Sequence, residues 1–221
     1  MKKIIIFGSG DNARMIFSEL VKSAKYDILG FIDNFKNKKI IEKYKNKNFY
    51  NLGTIKENKN ILKKTFGVIG IGDNYKRFKV YSEINVLFKN FEWEKIISNK
   101  SNIHDDVPIG NGSVIMPNVT INFGSKIGNH CLINTSSSLD HDNHFEDFSS
   151  TGPGIVTGGR VSVGKLTHIG LGAVIQNKCK IGKNTIIGAN SLVNKNCEDN
   201  LVYYGNPVKK IRKRLKGDKY L

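Results

Sequence analysis

The sequence predicts a parallel β-helix preceded by a small Rossmann-like α/β domain, and three observations carry that reading. First, stepping six residues from Ile103 to Val193 meets sixteen anchor positions, of which thirteen are aliphatic, one is Phe145 and two are Thr151 and Thr157. Second, a small or β-branched residue follows each anchor by four, as at Ser113, Ser125, Cys131, Ser137, Asn143, Ala173 and Ser191. A period of six fits neither an α-helix nor a hairpin meander, but it fits a coil of three short strands joined by three tight corners. The anchor and the small residue point inward, residues eighteen apart stack, and sixteen hexads make about five coils at roughly 4.8 Å per turn. Third, the chain opens with an apolar run, Lys2–Phe7, then Gly8-Ser9-Gly10-Asp11-Asn12 and a helical pattern from Ala13 to about Lys22.

That opening is a βαβ unit with a Gly-rich loop at a helix N-terminus. Ile28–Ile32 forms its second strand and ends in Asp33. Ala13 occupies the third glycine position of the dinucleotide fingerprint, and only about one hundred residues precede the β-helix. A mononucleotide or nucleotide-sugar suits that size better than NAD. Residues 34–64 read as loop-rich and basic, with Lys36, Lys38, Lys39, Lys43, Lys45 and Lys47. Phe66–Ile71 is a third strand, leading into Gly72-Asp73-Asn74 and a helix carrying Arg77. Ligands of such sheets bind at the carboxyl ends of the strands. Gly10–Asn12, Asp33–Lys36 and Gly72–Arg77 are therefore expected to meet in one crevice. Trp93–Ile97 reads as a last strand, giving a first domain over 1–98 and the β-helix with its tail over 99–221. The basic tail beyond Pro207 reads as helical through Leu215.

The net charge of +16 raises a nucleic-acid partner. The lysines are spread along the chain and no nucleic-acid motif accompanies them, so none is expected; a basic field does attract phosphorylated ligands. Cys131, Cys179 and Cys197 all fall on the small inward position, which makes them packing residues. No apolar run is long enough to cross a bilayer, and Met1-Lys2-Lys3 leads directly into a strand. A cytoplasmic protein with no membrane partner is expected.

One segment departs from the hexad composition, Asn134 through His144, which contains Asp140-His141-Asp142. A histidine flanked by carboxylates suits a general base, because an anion supports the imidazolium that forms. A metal site needs a third histidine, and His168, twenty-four residues beyond His144, lies on another face; no metal is expected. The register places Gly159 one coil over His141, leaving room for a ligand and a backbone N–H. It also places Arg160 one coil from Asp142, where it either pairs with that carboxylate or meets a phosphate.

With these motifs in hand, the chain resembles the bacterial sugar O-/N-acyltransferases with a left-handed β-helix, which include UDP-4-amino-sugar N-acetyltransferases and sialic acid O-acetyltransferases. The resemblance spans nearly the whole chain. It rests on Gly8-Ser9-Gly10, Ile32-Asp33-Asn34, Ile71-Gly72-Asp73-Asn74, Asn134-Thr-Ser-Ser with His141-Asp142, and Gly205-Asn206-Pro207 with Lys209. It implies a homotrimer using acetyl-CoA, with active sites between adjacent β-helices. His141 would be the base, Asp142 the acid that supports it, and Asn134 a neighbour of the acceptor sugar. Gly10, Asp11, Asn12, Asp33, Asn34 and Phe35, with Gly72 and Asn74 from the third loop, would line the nucleotide-sugar crevice. Acetyl-CoA would pass Ser150, Gly159, Leu171 and Ala189. The chain departs from the family at Asp11-Asn12, where Gly-His is common, and at Ser150, where a histidine is frequent.

The activity expected is acetyl transfer to the amine of a nucleotide-linked amino-sugar in surface glycan biosynthesis. Two alternatives stand beside it: O-acetylation of a sialic acid-type sugar, and a non-enzymatic sugar-nucleotide-binding protein. A β-helical carbonic anhydrase lacks its third histidine, and NAD chemistry lacks half its fold.

Overall fold

The structure, a computed structural model, describes residues 1–35, 39–215 and 217–218. It divides into two compact units, Met1–Gly72 with Lys76–Ile96, and Asp73–Tyr75 with Ile97–Leu221. The small α/β domain followed by a parallel β-solenoid is the architecture the hexads predict.

In the first unit, β1 (Lys2–Phe7) lies between β2 (Tyr26–Ile32) and β5 (Phe66–Ile69), all parallel. Ile4, Ile5, Ile6 and Phe7 are all buried, because a central parallel strand is covered on both faces and tolerates no polar alternation. The helix α1 (Asp11–Ser23) starts at Gly10, slightly earlier than the apolar pattern suggests, with Asp11 in its first turn where the helix dipole favours an anion. The third strand stops at Ile69 rather than Ile71.

Residues 34–64 are more structured than their lysine content suggests. Strands β3 (Ile40–Tyr44) and β4 (Lys47–Tyr50) form an antiparallel hairpin turning at Lys45 in a left-handed conformation, φ 52°, and a short helix α2 spans Lys59–Leu62. The β-branched and aromatic residues between the lysines carry the pairing. Lys36 and Lys38 lie outside the described residues.

The solenoid has three parallel faces. One is a six-stranded sheet running from Asn102–Ile103 to Leu192–Val193, so the coil makes six turns rather than about five. Ile96–Ile97, expected as the last strand of the first domain, joins the solenoid sheet next to Val114–Ile115, while Trp93 forms an isolated bridge to Gly67. The hexad frame thus begins one repeat earlier, at Ile97 and Ser101. At the far end the last turn tightens, Ile186 pairing with Val202 at an offset of sixteen.

The tail is a strand, not a helix. Gly205 at φ 110° helps reverse the chain, and Lys209–Lys213 pairs antiparallel with Leu201–Tyr204. Its charged residues flank Ile211 on both sides, all are exposed, and they sit on an edge, where lysine discourages further pairing.

The corners explain the second half of the hexad rule. Three residues after each anchor from Ile109 to Ile187 the backbone turns left-handed, with φ 58° at Asn118, 57° at Asp142 and 61° at Arg160. The small inward residue does more than save space. Ser113 Oγ donates to Gly128 O (2.7 Å) and accepts from Cys131 N–H (2.9 Å). Ser125 Oγ does the same with Asp140 O (3.0 Å) and Asn143 N–H (3.0 Å). Each hydroxyl therefore ties its corner to the next one, in a fully buried place where an unpaired N–H would be costly. Ser125→Ala should lower unfolding stability by about 1–3 kcal/mol, read by urea denaturation; an unchanged midpoint would show that the corner does not need the hydroxyl.

Candidate active site

The carboxyl ends of β1, β2 and β5 bring three loops of the first unit together. Gly8 N–H donates to Ile32 O (2.7 Å) and Ser9 Oγ to Asp33 Oδ2 (2.6 Å). A Cβ on Gly72 would fall 2.5 Å from Asn12 Nδ2. Gly10 faces open space at the head of α1, a place suited to a phosphate. Ala13 at the third fingerprint position is explained by its neighbour: a Cβ on Gly70 would fall 2.5 Å from the Ala13 Cα. The close helix–strand approach is supplied by the strand's glycine instead of the helix's. Asp11 is exposed and pairs with Arg14 at 3.6 Å. Asn34 and Phe35 are exposed on the loop beyond Asp33, and Phe35 O accepts from Asn51 Nδ2 (2.7 Å).

Two expected loop residues take other places. Arg77 turns inward, Nη1 donating to Ile71 O (2.8 Å) and Gly72 O (3.0 Å), and so braces the loop. Asn74 belongs to the second unit, wholly buried, where its Nδ2 donates to Thr167 O (2.9 Å) and its Oδ1 accepts from Ser150 Oγ (2.7 Å). Ser150 is buried as well and lies 2.8 Å from His168 Nδ1. Since the Ser150 proton goes to Asn74, the His168 Nδ1 carries the proton of that bond. The surroundings of Ser150 and Asn74 are those of a buried clamp.

His141 and Asp142 occupy the corner after Ser138–Leu139. The left-handed φ of Asp142 turns its carboxylate back to the ring, and Oδ2 lies 2.8 Å from His141 Nδ1. Nδ1–H then donates to the carboxylate, leaving the Nε2 lone pair free. Arg160 Nε stands 3.7 Å from the same Oδ2, so the stacking of residues 142 and 160 produces the pairing expected from the repeat. Gly159 lies over the imidazole, where a Cβ would fall 2.4 Å from Nε2. The Gly159 N–H has no acceptor among the described residues, whereas the equivalent N–H groups of Asn129 and Lys183 bond Asp147 and Asp199 side chains.

The two threonine anchors belong to this neighbourhood. Elsewhere before the last turn the N–H after an anchor reaches the anchor carbonyl one turn on, as in Asn122 to Leu139 O. At Asn134 and Asp140 it reaches a hydroxyl instead, Thr151 Oγ1 (2.8 Å) and Thr157 Oγ1 (3.2 Å). Asn143 completes the frame: its Nδ2 reaches Asp140 O (2.5 Å) and Gly158 O (3.1 Å), and its Oδ1 accepts from Val161 N–H (3.1 Å). Asp140 accepts from Asn122 Nδ2 and from the His141 N–H (2.9 Å), and these bonds hold its carboxyl below the usual carboxylate range. Counting columns of eighteen would have found these residues; their identities as Thr, Asp and Asn resemble ordinary turn chemistry.

Asn134 sits at the preceding corner. Leu171 and Ala189 stack one turn apart at that same corner, both exposed, and Leu171 is 53% accessible. Within one chain they share a different edge of the prism from His141 and Gly159.

Residues 3–84 match the family model described as the PglD N-terminal domain. The chain is similar to a mutant of perosamine N-acetyltransferase from Caulobacter crescentus, solved with CoA and GDP-perosamine, at TM-score 0.87 and 24% identity, covering 96% of this chain and 98% of that one. The acetyltransferase domain of PglB from Neisseria gonorrhoeae matches at TM-score 0.84 and 22% identity, covering 96% and 100%. The fold is that of left-handed β-helix sugar acyltransferases. A mutant of AntD, an N-acyltransferase from Bacillus cereus solved with dTDP and coenzyme A, matches more distantly, at TM-score 0.52 and 20% identity over 61% of this chain and 89% of that one. No helix among the described residues is long and apolar enough to cross a membrane.

Proposed function

We propose that this chain is an acetyl-CoA-dependent N-acetyltransferase acting on the amino group of a nucleotide-linked amino-sugar. The observation that carries the reading is the His141–Asp142 pair, with Nε2 facing the Gly159 backbone one turn on. The solved relatives that hold both CoA and GDP-perosamine support the two substrates.

In this reading the sugar amine, largely protonated in water, gives up one proton on binding and attacks the thioester carbonyl. His141 Nε2 takes the proton the nitrogen must lose as the C–N bond forms, and Asp142 holds Nδ1–H and supports the imidazolium. The Gly159 N–H meets the developing oxyanion. As the C–S bond breaks, the thiolate of CoA leaves and receives a proton. No cysteine intervenes: Cys131, Cys179 and Cys197 are buried, and burial pushes the Cys197 thiol up to about 12. Transfer is therefore direct, within a ternary complex.

The nucleotide end of the sugar belongs to the crevice around Gly10, Asn12 and Asp33, with Asp33 placed to accept hydrogen bonds from a ribose. The apolar column Pro153–Leu171–Ala189 suits the pantetheine arm of CoA. Because that column and His141 stand on different edges of one prism, a complete site needs the His141 corner of one copy beside the Leu171 corner of another. A cyclic homotrimer supplies this arrangement.

His141→Ala should lower kcat by about 10²–10⁴-fold, the usual range for losing a general base, with CoA affinity little changed; near-wild-type turnover would remove His141 from the mechanism. The assay uses a panel of nucleotide-linked amino-sugars beside free nonulosonic acids, so turnover of the second class alone would replace N-acetylation by O-acetylation. Arg160→Ala should lower kcat only a few-fold, the pair being partly exposed, because Asp142 keeps its 2.8 Å contact with His141 Nδ1. A raised Michaelis constant at unchanged kcat would instead assign Arg160 to a phosphate.

A further inference from the structure

The column of eighteen that contains His141 reads Asp105, Phe123, His141, Gly159 and Asn177. Phe123 lies on the side of the imidazole opposite Gly159. The two rings stack with centroids 5.5 Å apart and planes 12° from parallel. Phe123 is 53% exposed, so the solenoid core does not call for it. The second residue of each corner is elsewhere small, polar, charged or aliphatic, and Phe123 is the single phenylalanine there, one turn below the base.

We propose that Phe123 is a positioning residue for the reaction, an inference that rests on His141 acting as the base. The imidazole can leave its plane in two directions. Phe123 closes one and the Gly159 backbone closes the other, where even a methyl group would fall 2.4 Å from Nε2. The Asp142 carboxylate at 2.8 Å fixes the remaining rotation by holding Nδ1. Nε2 makes no hydrogen bond to another side chain among the described residues. His104 touches Phe123 edge-on, with centroids 6.1 Å apart and planes at 67°, and is itself held by Asp106 (2.8 Å), so the stack continues one turn further and supports the phenyl ring. A one-ångström error in the aim of a base is enough to lower a rate severalfold to a hundredfold, and an aromatic face is the surface against which an imidazole packs flat.

The test compares Phe123→Leu, Phe123→Tyr and His141→Ala in the full chain, with acetyl-CoA and the best nucleotide-linked amino-sugar of the panel. Phe123→Leu should lower kcat about tenfold or more, leave both Michaelis constants within about twofold, and keep the thermal midpoint. Phe123→Tyr, which retains the ring, should restore kcat to within about threefold of wild type. Nuclear magnetic resonance of histidine-labelled protein gives a readout independent of turnover. The His141 ring-proton signals, identified by their loss in His141→Ala, should lose the ring-current displacement in Phe123→Leu and keep it in Phe123→Tyr. Wild-type kcat in Phe123→Leu, with His141→Ala inactive, overturns this inference and leaves the base intact. Full turnover in His141→Ala overturns the base and the inference together.

Discussion

Most of the second unit follows from one constraint: each turn before the last advances by one strand spacing and consumes eighteen residues. Parallel pairing forces this, as Lys126 against His144 and His144 against Ser162 illustrate. Side chains eighteen apart are therefore neighbours whatever their chemistry, and the chain can assemble a functional column by choosing residues at a fixed interval. The reactive column and its neighbour are such a choice, setting Phe123, His141 and Gly159 beside Gly124, Asp142 and Arg160. Corner geometry adds a second device. Because Asp142, three residues after its anchor, is left-handed, its carboxylate turns back toward the preceding residue, and His141–Asp142 meets through backbone conformation as well as attraction.

The solenoid was legible in the sequence because its signal is periodic and sterically enforced. An aliphatic residue at every sixth position survives any surface substitution, and stacking converts position into contact, which is why the Arg160–Asp142 and Gly159–His141 neighbours were predictable. The ends were less legible. Ile96–Ile97 follows an apolar run that also suits an α/β domain, and the last turn abandons eighteen for sixteen. The tail's lysines say little about helix or strand, and pairing with Leu201–Tyr204 decided it. In the first unit, charge concealed the β3–β4 hairpin, and Ala13 looked like a broken fingerprint because its compensating partner, Gly70, lies far away in sequence.

The candidate site was legible in its reactive pair and less so in its support. Asn143 and Ser125 satisfied the small inward rule, yet their hydrogen bonds to the corner carrying His141 are three-dimensional facts. Thr151 and Thr157 interrupted the aliphatic frame for a reason no periodicity contains, since each hydroxyl replaces a backbone acceptor beside the reactive segment. Ser150 and Asn74 illustrate the converse. Both stand in motifs that suggest ligand contact, and both are spent on a buried clamp with Thr167 and His168.

The account stands on His141 Nε2 meeting the acceptor nitrogen beside a thioester held by another copy of the chain. A crystal structure of the protein with CoA and a nucleotide-linked amino-sugar tests this most directly. The account predicts the sugar amine within hydrogen-bond distance of Nε2, the CoA sulfur beside Gly159, and the pantetheine arm along Leu171 and Ala189 of the adjoining copy. CoA bound away from the His141 corner, or an amine placed out of reach of Nε2, would contradict it.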